Sequence, residues 1–283
     1  MPATDFQKDK NGYMSKAYLL SSTLFFTTLL TACGGGSSSS GSSDAVNPVT
    51  PPVASGDTGS ISAPFANNAN GRYLLLAVAS QSTGPLTTVT QGGTGALSAI
   101  AGTTFTGTPA ITREISGDAS FAQGRWFTGT LTSSGGATIM TGNNASAHYT
   151  VYKTPASLPA SGSLACDAGS FTAPSYVGGS AIGQNAYFGT AAGRATLSFS
   201  AAGAALSMTV DASAGGSTGS ISGAGLAGTP ASTAITGAFL GGSTGTLLAL
   251  GDAGAGRYLL IGGYKVTLAN GANYQGVATF RCS

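Results

Sequence analysis

Glycine and proline break this chain so often that no twelve-residue stretch beyond residue 55 keeps a helical apolar period; glycine alone accounts for 45 of 283 residues. Each glycine inside a helix costs about 1 kcal/mol relative to alanine, and proline costs more. What survives is a period of two. Leu197 and Phe199 alternate with Thr196, Ser198 and Ser200, and Leu206, Met208 and Val210 alternate with Ser207 and Thr209. Between these runs Ala201-Ala202-Gly203-Ala204 reads as a tight hairpin turn. Further strands are predicted at 59–65, 72–79, 86–90, 96–100, 110–116, 124–132, 136–141, 146–153, 162–171, 181–188, 217–225, 233–239, 245–250, 257–266 and 273–282. Short strands at such regular spacing are the mark of an antiparallel sandwich or barrel. Glycine shows no three-residue period, which excludes collagen.

Pro155 and Pro159, within Thr154-Pro155-Ala156-Ser157-Leu158-Pro159-Ala160-Ser161-Gly162, prevent a continuous central strand there. They divide the folded part into residues 56–154 and 162–283, with 155–161 as a hinge. The second segment starts and ends near a cysteine, Cys166 and Cys282. In a meander closed into a barrel, the first and last strands become neighbours. A Cys166–Cys282 disulfide would lock that seam; two free buried thiols are the other possibility.

The third cysteine, Cys33, has a different setting. Lys16 precedes an apolar stretch that ends in Leu30-Thr31-Ala32-Cys33, and an unbroken Gly/Ser run follows from Gly34 to Ser43. A basic start, a short apolar middle and small residues before the cleavage point make an export signal. The apolar stretch is shorter than the roughly 20 residues needed to span a bilayer as a helix. A cysteine at its end is the layout of a bacterial lipoprotein precursor, so residues 1–33 are expected to be signal and lipidation box; the alternative is an ordinary secretory signal or a short anchor helix with Cys33 there by chance. Met14-Ser15-Lys16 reads as the translation start. Residues 34–55 form a Gly/Ser/Pro tether, stiffened at Pro51-Pro52. Stable anchoring takes two or more acyl chains, and the lipoprotein modification supplies three. Gly34, rather than the Asp that usually retains lipoproteins in the inner membrane, favours the outer membrane, facing either the surface or the periplasm. An oxidising compartment also favours the disulfide.

Gly124-Arg125-Trp126 with Gly129-Thr130, then Ala147-His148-Tyr149-Thr150-Val151, then Pro155 and Leu158-Pro159-Ala160-Ser161-Gly162-Ser163, resembles a recurring stretch of bacterial envelope proteins. There it leads into a barrel similar to those of transferrin-binding protein B. Gly237-Ala238-Phe239-Leu240-Gly241 is like that barrel's Gly-aromatic hairpin. The resemblance implies an all-β chain, with a small β handle followed by an eight-stranded antiparallel up-and-down β-barrel. It does not imply transferrin binding, because the aromatic- and lysine-rich loops that grip transferrin are missing and the chain is one lobe long.

Two short echoes, Gly71-Arg72-Tyr73-Leu74-Leu75 with Gly256-Arg257-Tyr258-Leu259-Leu260 and Thr58–Ser62 with Thr218–Ser222, read as similar strand solutions or relics of duplication.

Catalytic motifs fail on context. Gly215–Gly219 and Gly241–Gly245 match G-x-S-x-G, but the only histidine, His148, precedes both and no helix follows. Gly223–Gly228 matches G-x-G-x-x-G but runs into Thr229-Pro230 and another strand, so it reads as a flexible turn and not a dinucleotide site. One histidine and two paired cysteines cannot assemble a usual zinc site. His148 reads as a strand residue with a local hydrogen bond. Asp211, Asp252, Arg257 and Arg281 read as strand-end residues explained by turn chemistry and solvation.

Arg125-Trp126-Phe127 is the densest aromatic-cationic cluster, either an interaction hot spot or core. Three of the eleven Lys/Arg (Lys8, Lys10, Lys16) and two of the nine Asp/Glu (Asp5, Asp9) precede Cys33, leaving eight against seven. A balance so close to neutral speaks against nucleic acid. The sequence therefore points to a lipid-anchored, non-enzymatic binding or interaction module that needs no cofactor and contacts the membrane through its N-terminal lipid. Its ligand is an unidentified protein or small molecule. The alternatives are a lipocalin-like carrier of a small apolar ligand and a structural envelope or adhesin protein.

Overall fold

The computed structural model describes residues 56–78, 80–142, 146–181, 187–237, 239 and 244–283. Cys33, the leader and tether, most of the predicted 181–188 strand and Gly241–Ser243 of the second G-x-S-x-G match lie outside the described residues. No α-helix occurs among the described residues, and the architecture is all-β.

The first nine strands form one sheet: β1 (Gly59–Ile61), β2 (Gly71–Leu76), β3 (Gln81–Pro85), β4 (Val89–Gln91), β5 (Leu97–Ile100), β6 (Thr103–Asp118), β7 (Phe121–Ser133), β8 (Gly136–Thr141) and β9 (Ala147–Lys153). Their order is β3-β2-β9-β7-β6-β5-β4, with β8 on β7 and a short parallel β1 on β6. The sheet ends at the predicted hinge. Beyond it run β10 (Gly162–Ala165), β11 (Ser170–Phe171), β12 (Ser175–Gly179), β13 (Thr190–Ser200), β14 (Gly203–Ala214), β15 (Ser217–Ala227), β16 (Thr233–Gly237), β17 (Gly245–Gly254), β18 (Arg257–Thr267) and β19 (Ala272–Cys282).

These strands make two antiparallel sheets, β10-β13-β14-β15 and β11-β19-β18-β17-β16, with β12 also on β19. The predicted single strand 162–171 changes partner part-way. Residues Gly162–Ala165 pair with β13, then Cys166 bridges Cys282 and the chain continues along β19 as β11 and β12. Counting that composite as one strand, eight antiparallel strands follow one another round a barrel-like wall. The Cys166–Cys282 disulfide sits at the crossing point, flanked by Ala165 N–H to Ser283 O (3.2 Å) and Ser283 N–H to Ala165 O (2.9 Å). On the opposite side, β15 and β16 meet without a ladder. Thr236 Oγ1 donates to Ala224 O (3.3 Å), and Ala269 N–H donates to Thr218 O (2.9 Å).

Glycine at that crossing is structural. Gly223 and Gly225 lie within β15, where a Cβ would collide with Thr246 Oγ1 and come within 2.6 Å of Ala234 Cβ. The G-x-G-x-x-G match is therefore strand rather than the expected flexible turn; two of its glycines let one sheet press on the other. Elsewhere tyrosines lie over glycines directly across the ladder. Tyr149 pairs with Gly124 and Tyr264 with Gly276, each hydroxyl 2.5 Å from where a Cβ would stand. A cross-strand aromatic covers the backbone that a glycine leaves bare.

Burial explains the two kinds of strand pattern. β13, β14 and β15 alternate because their outer faces meet solvent; inward Leu197, Phe199, Leu206, Met208 and Val210 are all buried in the barrel. β17, β18 and β19 are buried along most of their length because both faces are covered. Their inner faces join the barrel core, with Leu248, Leu260 and Phe280. Their outer faces, with Leu247, Leu259, Ile261 and Val277, pack on Leu74, Leu76, Phe121 and Tyr152 of the first sheet. The other side of that sheet has its own core around Leu75, Trp126, Tyr149 and Val151. The Gly-Arg-Tyr-Leu-Leu echoes face each other here: Leu74 and Leu259 share the joint, while Leu75 and Leu260 enter separate cores.

Candidate functional site

Polar side chains with chemical potential gather at the joint between the first sheet and the outer barrel wall. Strand alternation puts them there: Ala147, Tyr149 and Val151 of β9 enter the sheet's own core, so His148, Thr150 and Tyr152 face the barrel. His148 is fully buried. Its Nδ1 lies 2.8 Å from Thr172 Oγ1 and its Nε2 2.5 Å from Ser175 Oγ. The expected local hydrogen bond is thus a long-range one, made to the segment holding β11 and β12. Thr172 Oγ1 also accepts from Val277 N–H (3.1 Å), and Ser146 O lies 3.5 Å from Ser175 Oγ. Burial, followed by the neighbouring Arg125 charge, holds the imidazole well below its usual pKa, so it is neutral at pH 7.

A serine hydroxyl on one imidazole nitrogen and an orienting hydroxyl on the other is the outline of a nucleophile–base pair. Here Ser175, His148 and Thr172 are all 0 % exposed, and the orienter is a hydroxyl rather than a carboxylate. The arrangement joins two layers. It offers no surface to a substrate.

Arg125 lies opposite His148 in the ladder, Trp126 belongs to the first sheet's own core, and all of Arg125, Trp126 and Phe127 are buried. Trp126 Nε1 donates to Leu97 O (2.6 Å) between Phe105 and Tyr149, with ring centroids 5.3 and 5.1 Å away. Arg125 makes a bidentate pair with Glu114, Nε to Oε2 at 2.6 Å and Nη2 to Oε1 at 2.7 Å, and Nη1 donates to Ser146 Oγ (3.2 Å). Phe127 carries Arg113 at 4.0 Å and Arg125 at 4.9 Å over its ring. Of the two readings of this cluster, interaction hot spot or core, the burial matches core: packing, not solvent, surrounds all three residues. Glu114 adopts φ = 49° at a bulge between β6 and β7.

Other bonds cross the same joint. Thr279 Oγ1 donates to Gln123 Oε1 (2.7 Å), and Gln275 Nε2 donates to Ala77 O (3.0 Å). Arg281, exposed near the end of β19 as expected, also pairs with Asp118 at 2.9 Å, over the Phe121 ring. Burial disfavours ionised Asp118, but the Ser120 N–H and Arg281 outweigh it and lower its pKa. Asp252 does cap its turn, accepting from Gly254 N–H (2.8 Å).

Accessible concavities lie elsewhere. A groove of about 520 Å³ crosses the outer wall of β13–β15, lined by Thr190, Ala192, Asp211, Ser213, Thr218 and Ser220. A cleft of about 350 Å³ adjoins the disulfide, with Asp167, Arg257 and Arg281. Among the described residues no three His, Cys, Asp or Glu side chains converge as a metal site. No family model, curated protein or solved structure matches this chain.

Proposed function

We propose that this chain is a lipid-anchored protein of the bacterial outer membrane whose β domain works as a non-enzymatic binding or interaction module, similar in plan to a transferrin-binding protein B lobe. The observation that carries the anchoring is the order of Lys16, the apolar stretch, Leu30-Thr31-Ala32-Cys33 and the Gly/Ser run. Support for recognition outside the barrel comes from its interior, where Leu197, Met208, Leu248, Tyr264 and Phe280 pack into one buried cluster. A small barrel filled this way leaves binding to loops and outer faces, which also weighs against a lipocalin-like carrier. The buried state of His148 and Ser175 supports the non-enzymatic reading.

A structural or adhesive role is the second reading. It is favoured by the hydroxyl-rich outer wall, where Thr190 bonds Ser213 (2.8 Å) and Thr209 bonds Ser222 (3.0 Å).

Metabolic labelling with an alkynyl fatty acid tests the anchor: the wild type takes up the tag and Cys33→Ala does not. Tagging of both would sink the lipoprotein reading. Protease shaving of intact cells then separates the surface from the periplasm. Affinity capture on the wild-type chain separates a binding module, which enriches a discrete ligand, from a spacer, which enriches none.

A further inference from the structure

The hairpin of β7 and β8 extends past the joint as an arm. Residues Thr128–Ser133 of β7 pair with β8 on one edge, and Thr130–Thr132 pair with Thr104–Thr106 of β6 on the other. One face of this arm buries Phe105, Leu131 and Met140. The opposite face carries Thr104, Thr106, Thr130, Thr132 and Ile139, and Ile139 is 75 % exposed, more than any other large apolar side chain among the described residues.

Among the described residues, β8 pairs with no strand except β7. The hairpin closes at the Ser133–Gly136 pair across a two-residue turn. Hydrogen-bonded and free pairs alternate along an antiparallel ladder. The backbone groups of Gly136, Thr138 and Met140 therefore point to β7, and those of Ala137, Ile139 and Thr141 point away. Gly142 N–H donating to Phe127 O (3.1 Å) keeps the same phase. Edge strands are commonly guarded by charge or proline. From Thr128 to Gly142 there is no Lys, Arg, Asp, Glu or Pro.

We propose that β8 is the edge through which two copies of this chain pair. The outward set is self-complementary about its middle residue. In an antiparallel two-fold register Ile139 meets Ile139 of the second copy, and Ala137 meets Thr141. Each outward N–H and C=O then has a partner, and the two sub-sheets of three strands become one of six. Ala137, Ile139 and Thr141 share a face, so the two exposed isoleucines cover each other. Charge argues for a copy over an unlike strand: two uncharged arms meet without repulsion, whereas a charged partner finds no counter-ion here.

The test uses the full-length protein. On intact cells a short bismaleimide should join Ile139→Cys into a species of twice the mass, but should not join Leu226→Cys, an exposed position on the barrel wall. Sedimentation of the purified protein in mild detergent should give a dimer for the wild type. Ile139→Lys and Ile139→Glu alone should each be monomeric with unchanged far-UV circular dichroism, and their equimolar mixture should recover the dimer. A wild type that stays monomeric, equal cross-linking at 226, or a dimer that persists in both charged variants would overturn the proposal.

Discussion

His148 Nε2 and Ser175 Oγ lie 2.5 Å apart across the joint between the first sheet and the barrel wall, with neither residue exposed. One contact thereby ties β9 to the segment between the disulfide and β13. Its geometry is that of a general base on a hydroxyl. Its setting makes it a fastener, because a base that no solvent or substrate reaches has nothing to deprotonate but its own partner.

This fastener makes stability depend on pH. The unfolded chain binds a proton at His148 near the ordinary value of about 6.5, while burial and Arg125 keep the folded imidazole neutral well below that. The unfolded state thus holds more protons below pH 6.5. Stability is complete above that value and falls as pH drops through about 6 and 5. His148 is the only histidine, so urea midpoints measured from pH 7.5 to 5.5 should slope for the wild type and flatten for His148→Gln.

The disulfide closes a span of 116 residues at the point where the first barrel strand changes partner. Cys166→Ser with Cys282→Ser should lower stability by about 4–5 kcal/mol in the chain-entropy view. Hydrogen exchange should rise first at Gly162–Ala165, whose bond to the other end of the barrel is otherwise two backbone hydrogen bonds. Unchanged exchange there would mean that the seam holds without the cystine.

Glu114 neutralises a guanidinium whose side chain is 1 % exposed. Glu114→Ala should cost about 3–5 kcal/mol, because the Arg125 charge is then left buried and unpaired. Arg125→Met in the same background should recover part of the loss. A double-mutant cycle in denaturant measures both, and simple additivity would count against the pair.

Gly223 has no room for a side chain against Thr246. Gly223→Val should destabilise by about 1–3 kcal/mol through overpacking, and Thr246→Ala should restore part of it. A neutral Gly223→Val in thermal melts would show that β15 and β17 do not press together as described.

The strand break between Lys153 and Gly162 and the strand character on both sides of it are legible in the sequence because proline and glycine act on their own backbone. β13 and β14 are legible for a related reason: one face meets water, so the residues record which side is which. β3 and β12 are not. Gln81–Pro85 and Ser175–Gly179 have poor strand composition and are strands only because β2 and β19 supply their hydrogen bonds. The core reading of Arg125, Trp126 and Phe127 was open to the sequence, but the partners of Arg125 and His148 were not. A histidine in a strand reads alike on a wet face and a dry one, and its Thr172 and Ser175 partners lie 24 and 27 residues away.

From its own residues the chain is committed to short antiparallel strands, a break near residue 155 and a cysteine pair at the borders of the second half. Those features depend on local sterics, on alternation and on the spacing of a few residue types. Tertiary structure alone decided that the outer wall of β17–β19 is covered, that the aromatic-cationic cluster is core and that the lone histidine is sealed and neutral. Burial, and the charge state that follows from it, depends on what approaches from elsewhere in the chain, which no single strand encodes.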